Sequence, residues 1–137
     1  MGLMGNWFKR YKYGNTRQYV RIPAAWPIKC QPQTVEDKTQ VSSTRDVSAG
    51  GFRVIMREML PVGSRLRVEI HVPPLNRSIQ IEGRVVRCLP TQGGFDLGIQ
   101  FLKIDPPDRT QLNEAIERLL PRHLRETHKK AWWRKLP

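Results

Sequence analysis

Leu66, Val68, Ile70 and Val72 alternate with Arg65, Arg67, Glu69 and His71, the period of two that marks a β-strand with one buried face. The alternation returns at Phe95, Leu97, Ile99 and Phe101 around Asp96, Gly98 and Gln100, and again at Phe52, Val54 and Met56 around Arg53 and Ile55. From Ile79 to Cys88 it begins regularly at Ile79 and Ile81, and is then disturbed at Gly83 and Val85-Val86, as a bulge or a barrel corner would disturb it. Turn sequences separate the runs: Ala49-Gly50-Gly51, Pro61-Val62-Gly63-Ser64, Pro73-Pro74-Leu75-Asn76 and Gln92-Gly93-Gly94. Short strands in such a series predict an all-β fold, sandwich or barrel. A small closed antiparallel barrel is the expectation, because closure disposes of exposed strand edges in so small a domain.

A helix follows the strands. Asp105-Pro106-Pro107-Asp108 opens it, Leu112, Ala115, Ile116, Leu119 and Leu120 form one apolar stripe, and Pro121 stops it. The stripe is expected to pack on the barrel. With 137 residues the chain has room for one core and two tails. The expected division is a basic aromatic tail over 1–15, a barrel domain with its closing helix over 16–120, and a basic tail or second helix over 121–137. In that last segment Leu124, Ala131, Trp132 and Leu136 fall roughly on one side.

The formal charge is +12, from 24 Lys and Arg against 12 Asp and Glu. Lys9, Arg10, Lys12, Arg17, Arg21 and Lys29 all precede the first acidic residue, Glu36. Such a field favours anionic partners, whether nucleic acid, anionic lipid, nucleotide or an acidic protein face. Cys30 and Cys88 lie far apart without a CxxC spacing and read as small buried apolar residues. His71, His123 and His128 have no acid, nucleophile or second ligand at a useful spacing, so neither a catalytic group nor a metal site is expected. A P-loop lysine, a GxSxG elbow and clustered carboxylates are all missing, which argues against an enzyme. No apolar run reaches the roughly twenty residues needed to span a bilayer, and a cytoplasmic location is expected. After Met1-Gly2, Asn6 stands where myristoylation wants Ser or Thr.

Two short constellations carry chemistry. Arg17-Gln18-Tyr19-Val20-Arg21 is an RxxxR ahead of the first strand, and Asp46-Val47-Ser48-Ala49-Gly50-Gly51 is a DxSxxG at a strand turn. Guanidinium groups donate paired hydrogen bonds to phosphate oxygens or to the O6/N7 edge of guanine. The Asp46 carboxylate only accepts, and so complements the N1–H and N2–H donors on guanine's other edge, while the Ser48 hydroxyl both donates and accepts. Gly50 and Gly51 permit a tight turn and let a flat base approach the backbone. Each motif also has a plain structural reading, as a solvated basic face and as a turn. Their conjunction in this order is what points to a ligand.

At these residues the chain resembles the PilZ domain family, bacterial β-barrels that bind the second messenger cyclic di-GMP. The resemblance covers roughly residues 16–120 and extends to Val20-Arg21-Ile22-Pro23, Leu60-Pro61-Val62-Gly63, Gly83-Arg84-Val85-Val86 and Leu97-Gly98-Ile99-Gln100-Phe101. It implies a non-enzymatic cyclic di-GMP receptor with no other cofactor. Arg17 and Arg21 would lie on an N-terminal arm that wraps the ligand, while Asp46, Ser48, Gly50 and Gly51 form the barrel side. Arg87 falls near a strand position where some members set a residue against the base, and reads equally as a surface strand residue. Thr16 stands where members that take a stacked ligand pair have another Arg, which favours one ligand molecule. Ligand binding would fold the arm and alter the surface shown to a downstream protein through the tails. Two rival readings stay open: a small barrel that binds nucleic acid, and a ligand-free interaction module that docks on a protein or peripherally on a membrane.

Overall fold

The structure is a computed structural model that describes residues 19–33 and 38–120. Seven strands run β1 (Ile22–Pro23), β2 (Pro27–Pro32), β3 (Gln40–Ser48), β4 (Gly51–Met56), β5 (Arg65–Val72), β6 (Arg77–Thr91) and β7 (Gly94–Lys103), followed by helix α1 (Pro106–Arg118). A short 3-10 turn at Pro73–Leu75 joins β5 to β6. The strands form one antiparallel sheet in the order β1-β3-β2-β5-β6-β7-β4, and β4 also pairs with β3. Strands β2 to β7 therefore close a six-stranded barrel, with β1 an added strip on β3. The fold is the small closed antiparallel barrel with a packed C-terminal helix that the turn spacing predicts.

Period-two burial sets the inside of the barrel. Leu66, Val68, Ile70 and Val72 of β5 point inward, as do Phe52 and Val54 of β4 and Leu97 and Ile99 of β7, all buried. Phe52 and Phe101 pack with ring centroids 5.9 Å apart and planes tilted by 54°. β3 brings a polar residue inside: Thr44 is buried, and its hydroxyl accepts from the Trp26 N–H at 2.9 Å while donating to the Ala24 carbonyl. Both bonding capacities of that buried hydroxyl are thus met.

Two of the three register shifts in the sheet set which residues of β3 and β6 face outward at one place. Thr44 lies opposite Val54, but the next partnered position is Asp46 opposite Arg53, which leaves Arg45 as the extra residue. Without it Asp46 would share the inner face with Thr44; with it, Val47 opposite Phe52 goes inward and Asp46 turns outward beside Arg53. In β6, Val85 lies opposite Ile99 and Arg87 opposite Gly98, so Val86 is extra and Arg87 is carried to the outer side of the sheet. The disturbed alternation at Val85-Val86 is this second bulge.

Helix α1 buries Leu112, Ala115 and Ile116 against the barrel, with Leu120 just beyond it. Arg77 at the start of β6 ties it down, donating to Asp108 Oδ1 at 2.8 Å and to Gln111 Oε1 at 2.6 Å. Two readings of the sequence need correcting. Leu119, assigned to the stripe, is 50% exposed: the helix ends at Arg118 and its last turn tightens to three-residue bonds, the Leu119 N–H donating to the Ile116 carbonyl at 3.0 Å. Cys88 is half-buried rather than buried, while Cys30 is inside. The expected tails at 1–15 and 121–137, including the second basic helix, fall outside the described residues.

The cysteines give a direct check on the packing. Burial pushes the Cys30 thiol up to about 12. At pH 8 it stays protonated and shielded, and the thiolate is the species that reacts. A disulfide reagent is expected to titrate Cys88 in the native protein and Cys30 only as the barrel unfolds, giving two well-separated phases. Two equally fast thiols would contradict the burial of Cys30.

Candidate anion-binding site

Arg21 stands at the base of the N-terminal arm, immediately before β1. Pairing of Ile22 with Val47 and Pro23 with Asp46 brings the end of that arm alongside the DxSxxG segment. The Arg21 guanidinium donates through Nη1 to Asp46 Oδ1 at 2.6 Å, with side chains only 9% and 15% exposed. Two residues of the motifs that lie 25 positions apart in sequence are thus joined by a charge-assisted bond largely out of water. Asp46 itself belongs to β3, and the turn proper is Ala49-Gly50.

Ser48 closes that turn. Its hydroxyl donates to the Gly51 carbonyl at 3.3 Å and accepts from the Gly50 N–H at 3.1 Å. The proton the sequence reading kept for a ligand is spent on the turn, and one acceptor lone pair remains. The Gly50 carbonyl accepts from the Phe101 N–H at 2.9 Å, which fastens the turn to β7. Arg17 lies outside the described residues. Tyr19, between the two arginines of RxxxR, has the Arg109 guanidinium of α1 over its ring at 5.7 Å, so the base of the arm touches the helix.

The sheet continues the site in a direction that sequence spacing does not reveal. Cross-strand partners share a face, and the register sets Asp46, Arg53, Gly98 and Arg87 in one row over β3, β4, β7 and β6. Asp96, two residues from Gly98 on β7, lies on the same face. Arg87 donates through Nη2 to Asp96 Oδ1 at 2.8 Å. Arg53 Nε sits 3.6 Å from that same oxygen and 3.8 Å from Asp46 Oδ2. The result is an alternating chain of charges, Arg21, Asp46, Arg53, Asp96 and Arg87, in which each carboxylate faces two guanidiniums. Arg87 is 6% exposed, so of its two sequence readings the plain surface residue is excluded.

Arg53 and Asp96 were not singled out from the sequence. Each sits at the polar phase of an apolar alternation, where a solvated residue is the ordinary finding, and only the β4–β7 pairing makes them neighbours. Chemically the face offers guanidinium forks for a phosphate or a guanine edge, carboxylate acceptors for amide-like donors, and one row position, Gly98, that carries no side chain. Among the described residues no group of His, Cys, Asp and Glu could hold a metal ion.

The fold and this face define a small β-barrel domain with a row of paired arginines and aspartates beside β1, a candidate anion site. The chain belongs to the PilZ domain family, whose model matches residues 15–118. Among solved structures it is similar to the inhibitor of motility MotI/DgrA of Bacillus subtilis, at 26% identity and a TM-score of 0.66, over 74% of this chain and 50% of that one. It is also similar to YcgR of Escherichia coli solved in complex with c-di-GMP, at 25% identity and a TM-score of 0.60, over 82% of this chain and 48% of that one. The PilZ domain of YcgR with c-di-GMP shares the fold at 23% identity and a TM-score of 0.53, over 82% of this chain and 96% of that domain. The chain spans about half the length of the first two proteins. No curated protein sequence matches it.

Proposed function

We propose that this protein is a non-enzymatic receptor for cyclic di-GMP. The observation that carries the reading is the part-buried Arg21–Asp46 pair that joins the residue before β1 to the barrel, in a PilZ domain chain similar to a protein solved with that ligand. Cyclic di-GMP presents two guanines and two phosphodiesters. Asp46 accepts from the N1–H and N2–H edge of one guanine, and Arg17 and Arg21 take phosphate oxygens or the O6/N7 edge. Ser48, Gly50 and Gly51 supply the floor, and Arg87 stacks on or bonds the base from β6. Thr16 ahead of RxxxR favours one ligand molecule per site.

Ligand binding reorganises the arm. Because the arm touches α1 through Tyr19 and Arg109, the rearrangement is felt at the helix and by the tails beyond it, where a downstream protein is met. Among the described residues no helix is long and apolar enough to cross a membrane.

Calorimetric titration of cyclic di-GMP into the purified protein tests this, with GTP and a short single-stranded oligonucleotide as competitors. Micromolar or tighter binding, one ligand per chain and undisplaced by GTP, is the expected result. No heat with the dinucleotide, together with salt-sensitive binding of the oligonucleotide, would overturn the reading in favour of a nucleic-acid binder.

A further inference from the structure

We infer that Arg53 is a further phosphate-binding residue of this site, one that neither sequence motif contains. The inference rests on the reading of the site as one for a cyclic dinucleotide. Of the three guanidiniums described on the face, those of Arg21 and Arg87 are covered, with side chains 9% and 7% exposed. The Arg53 side chain is 27% exposed and is the one an incoming ligand reaches most directly. Arg21 and Arg87 each make a direct hydrogen bond to a carboxylate. Arg53 instead stands between the two carboxylates at 3.6 and 3.8 Å, and among the described residues its buried Nε has no hydrogen-bond partner. It is held in place by charge rather than by a hydrogen bond.

The bulge at Arg45 completes the argument, because it sets Asp46 on the same face as Arg53 instead of in the core. Asp96 then acts as a positioning residue, whose single oxygen Oδ1 holds Arg53 and Arg87 together.

The test compares the full chain with Arg53→Gln and Arg53→Lys, measuring cyclic di-GMP affinity at low and high salt with thermal unfolding alongside. Arg53→Gln is expected to bind about tenfold more weakly, a charge-assisted bond being lost, and with a flatter salt dependence than the wild type, because one screened attraction is gone. Arg53→Lys keeps the charge between Asp46 and Asp96, and with it the fold, but not the planar fork. It should lose affinity to a smaller extent and retain the wild-type salt dependence. Wild-type affinity in both folded variants overturns the inference and leaves the receptor reading standing. Weaker binding of Arg53→Gln with unchanged salt dependence also overturns it, by assigning Arg53 to the support of Asp46 alone. Absence of binding by the wild type removes the receptor reading and this inference with it.

Discussion

Asp46→Ala is expected to bind cyclic di-GMP at least tenfold more weakly and to unfold at a lower temperature than the wild type. Asp46 is the one carboxylate that both motifs meet. It accepts from Arg21 at 2.6 Å and faces Arg53 at 3.8 Å, with its side chain 15% exposed. Its removal takes away the acceptor for the guanine N–H groups, a charge-assisted interaction of about 1.5–3 kcal/mol. It also takes its carboxylate partner from Arg21, which has little access to water, at a cost to the fold of about 1–3 kcal/mol. Asp46→Asn keeps the shape and one acceptor oxygen, and should fall between wild type and Asp46→Ala in both measurements. Arg21→Ala is expected to weaken binding by a similar factor. Because each side chain meets its own group on the ligand and the two also share one bond, the double variant should bind more weakly than either single variant but by less than the sum of the two losses. Full additivity would mean that the bond between them contributes nothing to binding, and unchanged affinity in both single variants would remove them from the site.

How much of this was legible in the sequence follows from how each element buries its side chains. Strands β4, β5 and β7 have one dry face and one that carries the polar residues, so their alternation was plain. β3 was not, because Gln-Val-Ser-Ser-Thr-Arg-Asp-Val-Ser places Thr44 inside and Val41 outside. Its inner position is satisfied by hydrogen bonds from neighbouring backbone, which composition does not report. The bulge in β6 was announced by a Val-Val doublet that breaks period; the bulge in β3 rests on Arg45, a residue that fits either phase. The candidate site was legible as far as its local motifs ran. Arg21 and Asp46 were readable as members of short motifs, whereas Arg53 and Asp96 meet only through the closure of the barrel, and strand pairing at that distance leaves no mark on spacing. Leu119 shows the opposite error, a helical stripe continued past the point where the helix stops.

The largest effect on stability is expected from a single methyl group at Gly94. This residue starts β7, pairs with Thr91 across the turn at Gln92-Gly93, and has φ +139°, a conformation that residues with a side chain rarely adopt. A Cβ there would lie 2.1 Å from the Met56 carbonyl oxygen and 3.3 Å from the Arg57 Cα. Both contacts are with backbone, so no side chain can swing aside, and either the β6–β7 hairpin or the end of β4 has to shift. Gly94→Ala is therefore expected to cost about 3 kcal/mol, lowering the melting temperature on the order of 10–20 °C for a domain of this size. Gly93 is the internal control. A Cβ added to it would meet only Ile55 Cγ2, at 4.0 Å, and its φ lies outside the left-handed range. Gly93→Ala should stay within about 0.5 kcal/mol of the wild type. Thermal unfolding of the two variants side by side decides the matter. Equal melting temperatures would mean that the hairpin does not press on β4 as described. A wide gap would show that the hairpin and the strand carrying Arg53 are locked together by backbone contact.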